Sequence, residues 1–372
     1  MKLYIGDHIK RLRKQKGITQ ETLAEQMHVS TAAVSKWERN ETLPDIGMVI
    51  PLASYFGVST DEILGVDAVK NEEKIKLYLE ESSHLAALGK TYERFALIQK
   101  AYEEFPNDWR IIEAYIWQLN YDPNCTDPWG NEVHKDELYR LCERVLDECN
   151  IDSVRYSALS VLGGLYVLDG DMEKAKETAA RFPSYWRTKG EELAGCVSDD
   201  NTAWLAQERE NLWEVAMLLQ VKMRNIALHD ETLDAQKKIT YLKKAVELID
   251  LVFADGDYGF FHHELSDLYL WIANRYVMID DFDNAFSYYE LGFRHARAYD
   301  TLPKQIKYTS VFVKDVVFDM ANIDSNTEAN MVANQLERLR SWGVYEKVKD
   351  MPQMKAILAK YEPFAGQKKD YH

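Results

Sequence analysis

The sequence predicts an all-α fold, in which a five-helix N-terminal domain precedes an α-solenoid body. Three observations lead to this prediction. Apolar residues recur at the three- and four-residue spacing of helix faces. Glycine and proline, the residues that interrupt helices, number only 17 and 9 in a chain of 372 residues. A spacing of small and large residues that is typical of packed helix pairs recurs through the second half.

The composition is that of a globular chain and excludes several classes of protein. With 46% hydrophobic and 28% charged residues, the chain is neither disordered nor fibrous. The four cysteines show no Cys-x-x-Cys or Cys/His zinc spacing, so we expect no disulfide scaffold, metal or cofactor. A charged N-terminal run and the lack of about 18 consecutive apolar residues indicate a cytoplasmic protein with no membrane partner. No phosphate loop or nucleophile elbow occurs, so we expect no enzyme.

The charge is distributed unevenly and indicates where the chain divides. Residues 1–66 contain eight basic and eight acidic side chains, whereas the rest of the chain carries the whole net charge of −16. A short helix near the end of the first segment stops at Gly65, which predicts a boundary there. We therefore predict a first domain over residues 1–66 and a second over residues 67–372.

The first two helices follow from apolar spacing and from capping residues. Ile5, Ile9 and Leu12 fall on one helical face, and Gly17 ends that helix. Thr19 is a suitable N-cap for a second helix with a polar first turn.

The remaining helices of the first domain have caps of the same kind. Ser30 caps a third helix that runs from about Thr31 to Arg39, and a three-residue joint separates it from the second. Two helices joined in this way form a helix-turn-helix. Asp45 caps a fourth helix. Its predicted buried residues are Ile46, Val49, Leu52 and Ala53.

A continuous motif runs through about 60 residues of this domain. Thr19-Gln20-Glu21-x-Leu23-Ala24 leads to Val34-Ser35-Lys36-Trp37-Glu38-Arg39, and Leu43-Pro44-Asp45 and Phe56-Gly57-Val58-Ser59 follow. This motif resembles the DNA-binding domains of the Cro/CI (Xre) family, whose fold is the five-helix lambda-repressor type. His28 departs from the pattern, since many members have glycine at that turn position.

The resemblance implies a set of DNA-contacting residues. By the family pattern these are Gln20, Ser30, Thr31, Ala32, Ser35, Lys36, Arg39 and Asn40. The third helix would enter the major groove, with Lys36 donating to guanine. Gln20 and Asn40 would hold the phosphate backbone. Ser30 is also expected to act as the helix cap, and Glu38 is expected to pair with Arg13 rather than to read cytosine.

The implied partner is double-stranded DNA with a palindromic operator. One domain of this size makes few phosphate contacts and covers a short site, so a single copy binds weakly. We therefore expect a homodimer whose two-fold axis coincides with that of the operator.

Two stretches of the second domain repeat the spacing of a tetratricopeptide repeat, in which small residues lie where two helices cross. The first runs from Leu159 to Pro183 with Ala175 at a small position, and the second runs from Tyr269 to Tyr289 with Ala285 there. The resemblance predicts stacked helical hairpins with a concave binding face. The stretch from 122 to 131, with two prolines and a glycine, is predicted to be a loop between hairpins.

A Cro/CI-type domain followed by such a body resembles the PlcR- and Rgg-like regulators. This resemblance implies a peptide effector in the concave groove, held by asparagine side chains such as Asn225 and Asn274. Dimerisation alone is an alternative role for the body. A protein-interaction scaffold, in which the body binds a protein partner and the head only tethers it to DNA, is another. An antitoxin-type head with a toxin-binding body is a third.

Overall fold

The computed structural model describes residues 5–64, 66–125, 131–185 and 187–371. Contacts divide the chain into two compact units, Met1–Glu81 with Ala101–Pro106, and Ser82–Lys100 with Asn107–His372. Gly65, at the predicted domain boundary, lies outside the described residues, as do positions 126–130 of the predicted loop.

The N-terminal part of the first unit, called the head below, contains the five predicted helices. They are α1 (Ile5–Gln15), α2 (Gln20–Gln26), α3 (Thr31–Glu38), α4 (Ile46–Phe56) and α5 (Thr60–Leu64). Their buried side chains form one apolar core, which includes Ile9, Leu23 and Leu52. The five-helix prediction is confirmed.

The helix ends follow the predicted chemistry. The hydroxyls of Thr19 and Ser30 and the carboxylate of Asp45 accept hydrogen bonds from backbone N–H groups in the first turns of α2, α3 and α4. His28 adopts a left-handed conformation with φ of 53° in the turn between α2 and α3. A residue other than glycine therefore makes the turn that the family pattern assigns to glycine.

One core assignment in the head is wrong. Val49, Leu52 and Ala53 are buried as predicted, but Ile46 is 86% exposed. The surface of the head therefore carries an exposed apolar strip, which consists of Leu43, Ile46 and Ile50. Helical spacing indicates which face of a helix is apolar, but not how far along the helix the core extends.

A buried ion pair joins three helices of the head. The guanidinium of Arg13, on α1, donates from Nε to Glu38 Oε1 at 2.5 Å and from Nη2 to Glu38 Oε2 at 2.9 Å. Gln20 Nε2, at the start of α2, donates to the same Oε2 at 2.7 Å. Burial acts to raise the pKa of Glu38, but the hydrogen bonds from Arg13 and Gln20 outweigh it and lower that pKa. The predicted pairing is confirmed.

The chain continues through α6 (Val66–Leu88) and α7 (Thr91–Glu104). Within the first unit, Tyr78 of α6 donates its hydroxyl proton to Glu104 at 3.2 Å and packs edge-on against Phe105. The C-terminal end of α7 thus contacts the middle of α6 within this unit.

The second unit is built from further helices and one small hairpin. The helices are α8 (Trp109–Asn120), α9 (Asn131–Glu148), α10 (Asp152–Leu168), α11 (Met172–Ala179), α12 (Lys189–Cys196), α13 (Asn201–His229), α14 (Ala235–Val252), α15 (His262–Met278), α16 (Phe282–Asp300), α17 (Met331–Ser341) and α18 (Pro352–Tyr361). None of the described helices is long and apolar enough to cross a membrane.

The two predicted helix pairs are present as α10 with α11 and α15 with α16. Ala175 and Ala285 are buried, as the small positions require. In the second pair the backbones approach closely, since a Cβ at Gly292 would lie 3.3 Å from the backbone oxygen of Ser266 and 2.8 Å from the side chain of Leu270. The all-α prediction is confirmed, with helical hairpins in the body.

The segment after α16 departs from the predicted all-helical body. Strands β1 (Gln305–Lys307) and β2 (Val317–Asp319) pair antiparallel, with Ile306 opposite Phe318. Pro303 follows the end of α16 and prevents its continuation. Ile306 and Tyr308 are buried, so this short sheet is anchored in the core of the second unit.

Replacing Arg13 by alanine is expected to destabilise the head strongly, because it leaves the buried Glu38 carboxylate without its cation. Removing one partner of a buried pair costs about 3 kcal/mol or more, which lowers amide protection about 100-fold. Hydrogen exchange of the α2 and α3 amides in the full-length protein measures this effect. The matched control is Arg11→Ala on the same helix, whose exposed pair with Glu62 is worth about 1 kcal/mol or less.

The effect also has a pH dependence of defined sign. The folded-state pKa of Glu38 is lowered, so the pair stabilises the head above the unfolded pKa of about 4.3 and loses this contribution below it. The difference in amide protection between wild type and Arg13→Ala should therefore narrow as the pH falls from about 4.3 through the lowered folded-state pKa of Glu38. Equal protection losses for the Arg13 and Arg11 variants at pH 7 would show that the pair does not hold the helices together.

Candidate DNA interface and ligand cavity

Helix α3 has one buried face and one exposed face. Val34, Trp37 and Glu38 are buried in the head. The exposed face is a stripe that carries the predicted base-contacting residues, called the α3 stripe below. It comprises Thr31, Ala32, Lys36 and Arg39, which are exposed, and Ser35, which is half-buried. These positions follow the i, i+4 spacing of one helical face, so the structure brings them together.

Ser30 has a defined structural role at the start of this helix. Its Oγ accepts a hydrogen bond from the backbone N–H of Ala33 at 3.1 Å. The capping role predicted for Ser30 is therefore present, while its hydroxyl remains exposed beside the α3 stripe.

The two residues predicted to hold phosphates lie at different helix ends. Gln20 is the first residue of α2 and is half-buried, with its amide donating to Glu38. Asn40 is exposed and adopts a left-handed conformation with φ of 55°, directly after the cap residue Arg39. A side-chain amide carries two N–H groups, so Gln20 retains a second donor while bound to Glu38.

The guanidinium of Arg39 has partners inside the head. Nε and Nη2 donate to the carboxylate of Glu41 at 2.6 and 3.1 Å, and Nη1 donates to Ser35 Oγ. The hydrogen bond from Arg39 lowers the pKa of Glu41. The sequence analysis did not identify Glu41 as a partner of Arg39, although the two residues are only two positions apart and have opposite charges.

Two further basic residues, one on α1 and one directly after it, are also engaged within the head. Lys16 donates to the carbonyl of Tyr55 and lies 4.3 Å above the centre of its ring. Arg11 pairs with Glu62 at 3.0 Å. Lys10 and Lys14, the two lysines of α1, are exposed.

The structure corrects one of the two asparagines predicted to bind an effector. Asn274 is 1% exposed, and its Oδ1 accepts a hydrogen bond from the hydroxyl of Tyr289 at 2.6 Å. It joins α15 to α16 in the core, so its amide is not available to a ligand. Asn225 is exposed on α13.

The second unit contains a cavity of about 1160 Å³, called the body cavity below. Its polar lining includes Gln118, Ser325, Asn326, Thr327 and Asn334, and its aromatic lining includes Trp117, Phe260 and Tyr299. Neither Asn225 nor Asn274 belongs to this lining. Sequence reasoning missed these residues because they come from segments far apart in the chain.

Charged side chains complete the wall of the body cavity. Arg94 Nη1 donates to both carboxylate oxygens of Asp324, each at 3.0 Å. Lys368 donates to Ser325 Oγ, and burial lowers its pKa to about 8. The wall therefore combines a lysine that loses its proton more readily than usual with amides and hydroxyls that can form hydrogen bonds.

Comparison with known proteins identifies the head. Residues 9–63 match the family model described as Helix-turn-helix. The HTH-type transcriptional activator BcrR of Enterococcus faecalis is 39% identical over 59 residues, which are 16% of this chain and 29% of BcrR. The HTH-type transcriptional regulator ImmR of Bacillus subtilis is 32% identical over 73 residues, 20% of this chain and 58% of ImmR. The chain thus spans less than two thirds of the length of either relative.

Structural comparison over the whole chain gives low scores. Bacillus thuringiensis PlcR, solved in complex with the peptide PapR7 and DNA, has a TM-score of 0.29 and 12% identity, over 78% of this chain and 94% of PlcR. The apo form of ComR from Streptococcus vestibularis has a TM-score of 0.26 and 15% identity, over 83% of this chain and 94% of ComR.

The structure and the family match point to the same kind of domain. The evidence is the set of five helices, the capped turn between α2 and α3, the Arg13–Glu38 pair and the match of residues 9–63. The head of this chain is a helix-turn-helix domain.

Proposed function

We propose that this chain is a sequence-specific DNA-binding transcriptional regulator that acts as a homodimer in the cytoplasm. Residues 1–66 bind the operator, and residues 67–372 serve dimerisation, effector binding or both. The observation that carries the proposal is the α3 stripe, which stands exposed while the opposite face of the helix is fixed by Trp37 and Glu38. The names of BcrR and ImmR, a transcriptional activator and a transcriptional regulator, support it.

In this proposal α3 enters the major groove and reads base edges. The Lys36 ammonium donates to guanine O6 and N7, while the methyl groups of Thr31 and Ala32 contact thymine. The second N–H of the Gln20 amide and the side chain of Asn40 donate to phosphates on either side. Arg39 exchanges its exposed contact with Glu41 for a phosphate, at little cost because exposed ion pairs contribute little.

A dimer follows from the short site that one head covers. The exposed apolar strip of Leu43, Ile46 and Ile50 is a suitable contact between two heads, because exposed aliphatic side chains gain free energy when a partner covers them. The excess acid of the second domain keeps DNA contact on the head, since like charges repel the phosphate backbone.

The body cavity is the place where we propose that a peptide effector binds. Its amides and hydroxyls match the donors and acceptors of a peptide backbone, and its aromatic residues supply apolar contact area. Binding that differs between two states of the dimer changes its competence for DNA. We infer that the chain acts by binding rather than by catalysis.

Selection from a random duplex pool with the full-length protein tests the proposed function. We expect a palindromic sequence to be enriched, with affinity that falls as salt rises because several counterions are released. If no sequence is enriched, the selection is repeated with the small-peptide fraction of a cell extract. A second failure would favour the scaffold alternative, in which the body binds a protein partner.

Lys36→Ala is expected to reduce discrimination between the operator and random DNA by about 5- to 150-fold, because a good contact to guanine is worth about 1–3 kcal/mol. Titration of both DNAs measures the ratio of affinities. Lys14→Ala is the matched control, since it removes the same charge from α1 and should weaken both complexes alike. Equal losses on the two DNAs for Lys36→Ala would exclude a base-reading role.

Replacing Ile46 and Ile50 together by serine should weaken binding to the full palindrome by about tenfold, since hot-spot contacts are worth more than 1 kcal/mol. Binding to DNA with a single half-site should stay unchanged, because both side chains are exposed and do not support the core. Ile46→Val with Ile50→Val is the matched control. An equal loss on the half-site and the palindrome would contradict a contact between heads.

A further inference from the structure

Three side chains that commonly bind metals converge where α8 ends and α9 begins. Asp122 follows α8, Cys125 lies in the turn after it, and His134 is near the start of α9. A carboxylate oxygen, the thiol sulfur and a ring nitrogen from these residues lie within 4.8 Å of one another. We propose that Asp122, Cys125 and His134 form a Zn²⁺ site in the second unit.

The distances are close to those of a zinc coordination sphere. His134 Nε2 lies 2.7 Å and Cys125 Sγ lies 3.5 Å from Asp122 Oδ2. Zinc bonds of about 2.0–2.3 Å at tetrahedral angles place neighbouring ligand atoms about 3.3–3.6 Å apart. The sulfur is already at this separation from the carboxylate, and the imidazole has to retreat by less than about 1 Å to admit the ion.

The surrounding residues orient the ligands. Asp122 Oδ1 accepts hydrogen bonds from the backbone N–H and the side-chain amide of Asn124, both at 2.8 Å. Asp122 is 8% exposed, and its other oxygen, Oδ2, faces Cys125 and His134. The ring of Phe95 packs against the imidazole, with the centroids 6.4 Å apart. Outer contacts of this kind position the ligands of metal sites.

The donor set favours zinc over the hard cations. Ca²⁺ and Mg²⁺ take oxygen ligands, whereas a thiolate and an imidazole are typical ligands of Zn²⁺. When the ion binds, the Cys125 thiol releases its proton to solvent, since the thiolate is the ligand. The sequence did not reveal this site, because Asp-x-x-Cys followed by a histidine nine residues later is not one of the Cys/His zinc patterns.

Three protein ligands leave a fourth coordination position. Asp122 and Cys125 both line the body cavity, so this position faces the space that we propose for the effector. A zinc ion there holds water or an anionic group of a molecule in the cavity. The metal site itself does not depend on DNA binding, and a failure of the proposed function leaves it intact.

Metal titration of the full-length protein, first stripped with a chelator, tests the inference. We expect equimolar Zn²⁺ binding, measured by competition with a chromophoric chelator. Co²⁺ should give a thiolate-to-metal charge-transfer band that Zn²⁺ abolishes. Cys125→Ser should weaken Zn²⁺ binding by at least about 100-fold, since even outer contacts of metal ligands are worth 10–100-fold. Cys196→Ser, which changes an exposed cysteine on α12, is the matched control and should bind Zn²⁺ as the wild type does.

A second measurement uses only the wild-type protein, so that it does not depend on the folding of a variant. Zn²⁺ should slow alkylation of Cys125 by about tenfold or more relative to Cys196, because the metal holds the thiolate. The proposal is overturned if the wild type shows no equimolar binding, or if the two serine variants bind Zn²⁺ alike. Alkylation of Cys125 at the same rate with and without Zn²⁺ also overturns it. In these cases Asp122 and His134 share only a hydrogen bond.

Discussion

The architecture of the head depends on one buried carboxylate. Glu38 lies in the last turn of α3, where the helix dipole disfavours a negative charge. Arg13 and Gln20 supply the compensating hydrogen bonds, and they come from α1 and α2. Because a buried charge without a partner is costly, these helices cannot shift independently of one another. The carboxylate thereby sets the orientation of the helix that carries the exposed stripe.

This constraint explains how the α3 stripe is held in a fixed orientation while its side chains remain available to contact DNA. The buried side of α3 is held by an ion pair and by Trp37, while the exposed side carries short or flexible side chains. Arg39 is the exception, since its guanidinium contacts Glu41 and Ser35. Both partners are at the surface, so water and phosphate compete for the same hydrogen bonds. Buried polar contacts thus determine the shape of the site, and exposed contacts remain exchangeable.

Polar groups have a comparable role in the body. Asn274 and Tyr289 join α15 to α16 through a hydrogen bond within an apolar core. Glu264 is also buried and accepts hydrogen bonds from Gln220 at 2.6 Å and Arg224 at 2.8 Å, both on α13. Such contacts select one packing of the helices, because any other arrangement leaves buried polar groups unpaired. The body cavity results from this packing rather than from any single segment.

The sequence by itself determined the features that depend on short-range interactions. The caps at Thr19 and Ser30, the five head helices and the two helical hairpins follow from contacts over a few residues, and the family pattern added the Arg13–Glu38 pair. The tertiary structure alone decided the exposure of Ile46, the burial of Asn274, the lining of the body cavity and the convergence of donors at Asp122. The first three features require elements distant in sequence to meet, and the donors at Asp122 converge because α9 packs against α8. Helical periodicity identifies an apolar face, but the packing of the whole unit determines what covers that face.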